Sequence, residues 1–114
     1  MALTRDFKET IGARVQRDPG FRLALLREGI ETLLSGDVEA GKIILCDFIN
    51  ATVGFPKLSE ITHRSAKSLM RTLGPRGNPQ ARNLFEIVKY LHKTEGVQFE
   101  VRPERTASRP KPTQ

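Results

Sequence analysis

Apolar positions recur along most of this chain at helical spacing. Phe7, Ile11 and Val15 stand four residues apart behind Thr4, a residue suited to cap a helix start. Asp18-Pro19 restarts the chain, with Asp as N-cap and Pro in the first turn. Leu23, Leu26, Ile30, Leu33 and Leu34 then predict the buried face of a second helix that ends at Ser35-Gly36. Asp37 caps a third helix, with Glu39 favourable in its first turn and Ile43, Ile44, Phe48 and Ile49 as its stripe. Gly54-Phe55-Pro56 reads as its stop.

A short helix is expected over about 57–62, with Leu58 and Ile61 inward, followed by a turn at His63-Arg64. Ser65 caps the next helix, 66–73, with Leu69, Leu73 and Met70 expected inside. Gly74-Pro75-Arg76-Gly77 breaks it, and Asn78-Pro79 is the expected start of a last helix. Leu84, Ile87, Val88 and Leu91 match the i, i+3, i+4, i+7 template in full, and Gly96 stops the helix. Val97, Phe99 and Val101 then alternate with Gln98 and Glu100, the period of a strand with one buried face.

The predicted fold class is all-α: five to six helices, with two of them forming a helix-turn-helix at about 57–73, and a short C-terminal β-strand. Residues 1–101 make one helical domain. Residues 102–114 carry three prolines and no apolar period, and are expected to be a disordered basic tail. A lone strand leaves backbone donors and acceptors unpaired on both edges. The same strand of a second copy is its expected partner, which makes Val97, Phe99 and Val101 the dimerisation residues of a homodimer.

Charge changes the picture at one place. Residues 57–82 contain Lys57, Arg64, Lys67, Arg71, Arg76 and Arg82 against Glu60 alone, a net +5, whereas residues 1–56 and 83–101 each sum to −1. The tail adds +3, for +6 over 114 residues. Cations concentrated on one supersecondary unit point to a phosphate-bearing partner, and a bihelical corner is the shape that sets a helix in a DNA major groove. Double-stranded DNA is therefore the expected partner.

Other classes find little support. The single cysteine, Cys46, allows no internal disulfide and reads as core. His63, His92 and Cys46 lack metal-ligand spacing, so no metal and no cofactor is expected. His63 reads as a turn residue and His92 as a surface residue near a helix end. No apolar run reaches the roughly 18 residues of a membrane span, and the charged first ten residues argue against a signal peptide, so the expected location is cytoplasmic. Gly36 to Lys42 has the spacing of a phosphate loop, but Ile43 stands where Ser or Thr is required and no strand precedes it. No catalytic set stands out, and an enzyme is not expected.

The residues 58–101 resemble an Xre/Cro-type helix-turn-helix and, more narrowly, the addiction-module antidote proteins, the HigA-like antitoxins. The resemblance is carried by Leu58-Ser59-Glu60-Ile61-Thr62, by Ser65-Ala66-Lys67-Ser68-Leu69-Met70-Arg71-Thr72-Leu73, and by Gly74-Pro75-Arg76-Gly77-Asn78-Pro79 leading into the last helix and strand. It departs from the family at His63, where Gly is usual, and at Arg64, where an apolar residue is usual. A more open turn, or a register one residue off, would accommodate both. The resemblance implies a homodimer that binds operator DNA, represses its own operon, and in many members contacts a RelE/HigB-type ribonuclease toxin.

On the residues themselves, Ser65, Lys67, Ser68 and Arg71 fall outside the Leu69/Leu73 stripe and would face the groove. Arg64 and Arg76 flank the helix, where phosphate contacts fix orientation. Each also has a plain reading as a solvated surface residue or a cap, as do Lys57 and Asn78. Arg102, Arg105, Arg109 and Lys111 of the tail would add non-specific affinity or serve only solubility. The competing functions are a stand-alone regulator without a toxin, and a protein-interaction module with a vestigial motif.

Overall fold

A computed structural model describes residues 12–75 and 80–105, and among these it holds six helices and no strand. Residues 12–17 form α1. α2 (Pro19–Leu34), α3 (Val38–Ala51), α4 (Phe55–Thr62), α5 (Ala66–Thr72) and α6 (Ala81–Glu95) follow. The starts obey their caps. Asp18 accepts from the Phe21 N–H at 3.1 Å, Asp37 from Ala40 at 3.2 Å, and Ser65 from Ser68 at 3.0 Å. Gly96 ends α6 in the left-handed region at φ 69°, with the Val97 N–H returning to the His92 carbonyl.

Three boundaries differ from expectation. Gly54-Phe55-Pro56 does not stop α3 but opens α4, two residues before Lys57. Gly54 sits at φ 81°, which turns the chain sharply, and Pro56 suits a first helical turn. α3 ends earlier, at Ala51. At α6 the N-cap is Gln80 rather than Asn78, which with Arg76, Gly77 and Pro79 lies outside the described residues. Phe7 and Ile11 of the first stripe also lie outside them, while Val15 is buried.

The core gathers Leu26 from α2, Leu45, Phe48 and Ile49 from α3, Phe55 and Leu58 from α4, and Leu69 and Leu73 from α5 with its cap. Leu84, Ile87, Val88 and Leu91 of α6 close it. The α6 stripe is buried as its spacing predicts. The α3 stripe is rotated: Ile43 is exposed, and the inward face runs through Gly41, Lys42, Leu45, Phe48 and Ile49. The reason is the α2–α3 contact. A Cβ on Gly41 would lie 2.5 Å from Leu33 Cδ2 and 3.1 Å from the Leu33 backbone nitrogen, so α3 turns its glycine toward α2 and lets the two helices close together. Leu34 and Met70, expected inside, are both about half exposed. Leu34 ends α2, and Met70 sits beside rather than on the Leu69/Leu73 stripe.

Two ion pairs join elements far apart in sequence. Arg22 of α2 grips Glu95 of α6 in a bidentate pair, Nε to Oε1 at 2.7 Å and Nη2 to Oε2 at 2.8 Å, and the Glu95 side chain is nearly buried. The second joins Arg64 to α6. Past Gly96 the chain is not assigned to a strand. The expected buried face holds only in part: Val97 and Phe99 are half-buried and Gln98 and Glu100 exposed, but Val101 is 77% exposed.

Gly41→Ala should cost about 1–3 kcal/mol from overpacking, more than the helix propensity it gains. The expected fall in thermal midpoint is roughly 4–20 °C. An unchanged midpoint by calorimetry would show that α2 and α3 part without cost.

Candidate nucleic-acid interface

α4 and α5 meet through His63-Arg64-Ser65, and the turn leaves little of its backbone unpaired. His63 occupies the left-handed region at φ 60° and ψ 29°, the conformation that a glycine would take without strain, and its N–H donates to the Ser59 carbonyl. The buried Thr62 hydroxyl donates to the Leu58 carbonyl at 2.9 Å and accepts from the Arg64 N–H at 3.3 Å. The Ser59 hydroxyl donates to the Arg64 carbonyl.

This turn aims α5. Leu69 faces the core, with Leu73 at the cap beside it. Lys67 and Arg71, one helical turn apart, are exposed on the other side, and neither has an ion-pair partner among the described residues. Ser68 is half-buried at the edge of that side and Met70 is exposed next to Lys67. Ser65 accepts the Ser68 N–H through its oxygen, which leaves its own hydroxyl proton for another acceptor. Four of the sequence-predicted residues thus stand on or beside one short helix.

Arg64 does not join them. Arg64, expected at a phosphate, is drawn onto α6: Nε donates to Glu86 Oε1 at 2.9 Å and Nη2 to Asn83 Oδ1 at 3.2 Å. The reason is geometric, since Asn83 and Glu86 share one face of α6 at spacing three. Arg76 lies outside the described residues. Lys57 is partly balanced by Glu60 at 3.7 Å on the exposed side of α4.

One residue of this region was missed entirely. Lys42, dismissed with the false phosphate loop, is only 1% exposed. Its Nζ donates to the Gly74 carbonyl at 2.9 Å and lies 3.2 Å from Glu39 Oε2. A signal existed: Lys42 falls three and seven residues before Leu45 and Ile49, on their face. No group of metal-ligating side chains occurs among the described residues, and none of their helices is long and apolar enough to cross a membrane. Cys46 is half-buried at the edge of the core.

No family model matches the chain, and no solved structure matches it.

A second surface feature lies between α2, α6 and the segment after Gly96. A groove of about 690 Å³ is lined by Ile30, Leu34, Phe85, Val88, His92 and Phe99, with Val101 at its edge. His92, read as a surface residue, is tucked against Phe99 at 5.5 Å between ring centroids. Its Nε2 is buried without a hydrogen-bond partner among the described residues. Burial lowers its pKa below the ordinary 6.5. The unfolded chain therefore binds more protons than the folded one between the two values. The stabilising contribution of neutral His92 is complete above pH 6.5 and is lost as pH falls through the folded value. Urea midpoints should drop between pH 7.5 and 5.5, about the range over which a histidine titrates, and His92→Leu should flatten that drop. An equal drop in both proteins would assign it to other groups.

Proposed function

We propose that this chain is a sequence-specific DNA-binding regulator in which α4 and α5 act as a helix-turn-helix and α5 enters the major groove. The observation that carries this reading is the unpaired side of α5: Lys67 and Arg71 face solvent one turn apart while Leu69 holds the opposite side in the core. With its side chains an α-helix is about 10–12 Å across, a fit for a groove about 12 Å wide. Arg71 would read guanine O6 and N7, and Lys67 and Ser68 neighbouring base edges. Met70 adds an apolar group suited to a thymine methyl. Ser65 and Arg76 would meet phosphates and set orientation. Arg64 is better suited to fixing the turn, because Glu86 already balances its charge.

Such readers usually bind as dimers on two half-sites. The segment 97–101 suits that role. Antiparallel pairing centred on Phe99 sets Val97 opposite Val101 of the second copy and Gln98 opposite Glu100, and so covers the exposed Val101. The resemblance to HigA-like antitoxins extends the reading to a repressor of its own operon with a RelE/HigB-type toxin as partner; a regulator without a toxin has the same DNA surface. The apolar groove beside Leu34 and Phe85 favours a second reading, a protein-interaction module. Salt separates the two. Binding through a few to several phosphate contacts should weaken about tenfold to thousandfold between 50 and 200 mM salt, whereas an apolar contact should not.

Arg71→Ala should relax the choice between a selected duplex and a scrambled one by about 1–3 kcal/mol, while Arg76→Ala weakens both alike. Titration of both variants against both duplexes decides this; undiminished discrimination in Arg71→Ala would place base reading elsewhere.

Val101→Asp puts a charge on an already exposed side chain, so the fold should survive and sedimentation should show monomers. A dimer that persists in this variant would rule out pairing through 97–101.

A further inference from the structure

We propose that Lys42 is a positioning residue for α5: from inside α3 it holds the Gly74 carbonyl, just past the Leu73 C-cap of α5, and so fixes where Arg71 points. This rests on the DNA-binding reading of α5 given above. Lysine is almost never fully buried unless it is paired. Lys42 is as buried as Phe48 and Leu45 on the same helix face. An apolar side chain of similar volume would fill that space at lower desolvation cost. What an apolar side chain cannot do is reach across to α5 and bind the Gly74 carbonyl, as the Lys42 ammonium does at 2.9 Å.

The end it holds is weak by itself. α5 has seven residues, and an isolated helix of that length is not stable in water. Its last bonds, Leu73 N–H to the Leu69 carbonyl and Gly74 N–H to the Arg71 carbonyl, are both 3.2 Å. A cation at a helix carboxyl end also opposes the partial negative charge there. The other end of α5 is tied separately, through Arg64 to Asn83 and Glu86 on α6. Arg71 lies between the two ties, three residues from Gly74. Release of the Lys42 tie frees the last turn. A base-edge contact is lost when its side chain shifts, whereas contacts to phosphate tolerate the shift.

The test uses the full chain, a duplex selected by that chain from a random library, and a scrambled duplex of the same length. In Lys42→Met, amide exchange at Leu73 and Gly74 should quicken about tenfold, with exchange in the middle of α3 unchanged. Affinity for the selected duplex should fall about tenfold and that for the scrambled duplex less than about threefold. Glu39→Gln, which touches only the exposed end of the tie, should move exchange and discrimination the same way by about threefold, and decides the matter if Lys42→Met does not fold. Unchanged exchange at Leu73 and Gly74 overturns the tie. Faster exchange with equal losses on both duplexes, or with discrimination intact, overturns the positioning role. Selection that enriches no sequence for the unaltered chain overturns the DNA-binding reading instead, and the exchange data still judge the tie.

Discussion

A helix of seven residues cannot hold its own shape in water, and α5 is such a helix. Its geometry is therefore set from outside. Leu69 and Leu73 lock one side into the core, Ser65 satisfies its first turn, and polar side chains from α6 and α3 reach its two ends. Nearly all of the chain's other order can be read as what is needed to supply those supports. α6 buries a full stripe so that Asn83 and Glu86 stand still beside Arg64. α3 packs closely on α2, so that a lysine on its inner face can be aimed at a carbonyl across the core.

That close packing depends on the absence of a side chain at Gly41, where even a methyl group would collide with Leu33. The Arg22–Glu95 pair then straps α2 to the end of α6. Replacing either partner of such a half-buried pair leaves a charge with no counterion, so the strap favours one arrangement of α2 and α6 over slipped alternatives.

Most caps, the Gly96 stop and the α6 stripe were legible from the chain alone, because each is local. Asp18, Asp37 and Ser65 cap the helices they were expected to cap, and Leu84, Ile87, Val88 and Leu91 are all buried. The errors have three separate causes. The inner face of α3 contains a glycine and a lysine, which carry no hydrophobic signal, so the stripe was assigned to Ile43 and its neighbours. Gly54 was taken for a stop because its sign of φ cannot be read from sequence. Met70 and His92 were misplaced because both border an apolar stripe, where a rotation of some tens of degrees decides between core and surface. For the candidate interface, Lys67, Ser68 and Arg71 follow directly from helical spacing once Leu69 and Leu73 are taken as core. Arg64 does not, because its acceptors lie nineteen and twenty-two residues away.

The difference between formal charge and available charge bears on how strongly this surface would hold DNA. Six cations between 57 and 82 suggest a large phosphate footprint. Lys57 faces Glu60, and Arg64 is bound to Glu86, so these two contribute little field beyond their partners. Lys67, Arg71 and Arg82 remain exposed and without an ion-pair partner among the described residues. Counterion release scales with phosphates neutralised, not with net charge. On the proposed DNA-binding reading, Lys67, Arg71 and Arg82 of one copy would neutralise only a few phosphates, and a second copy would double that number. Under the DNA-binding reading proposed above, pairing of two copies through residues 97–101 would bring a second Lys67–Arg71 face to the same duplex.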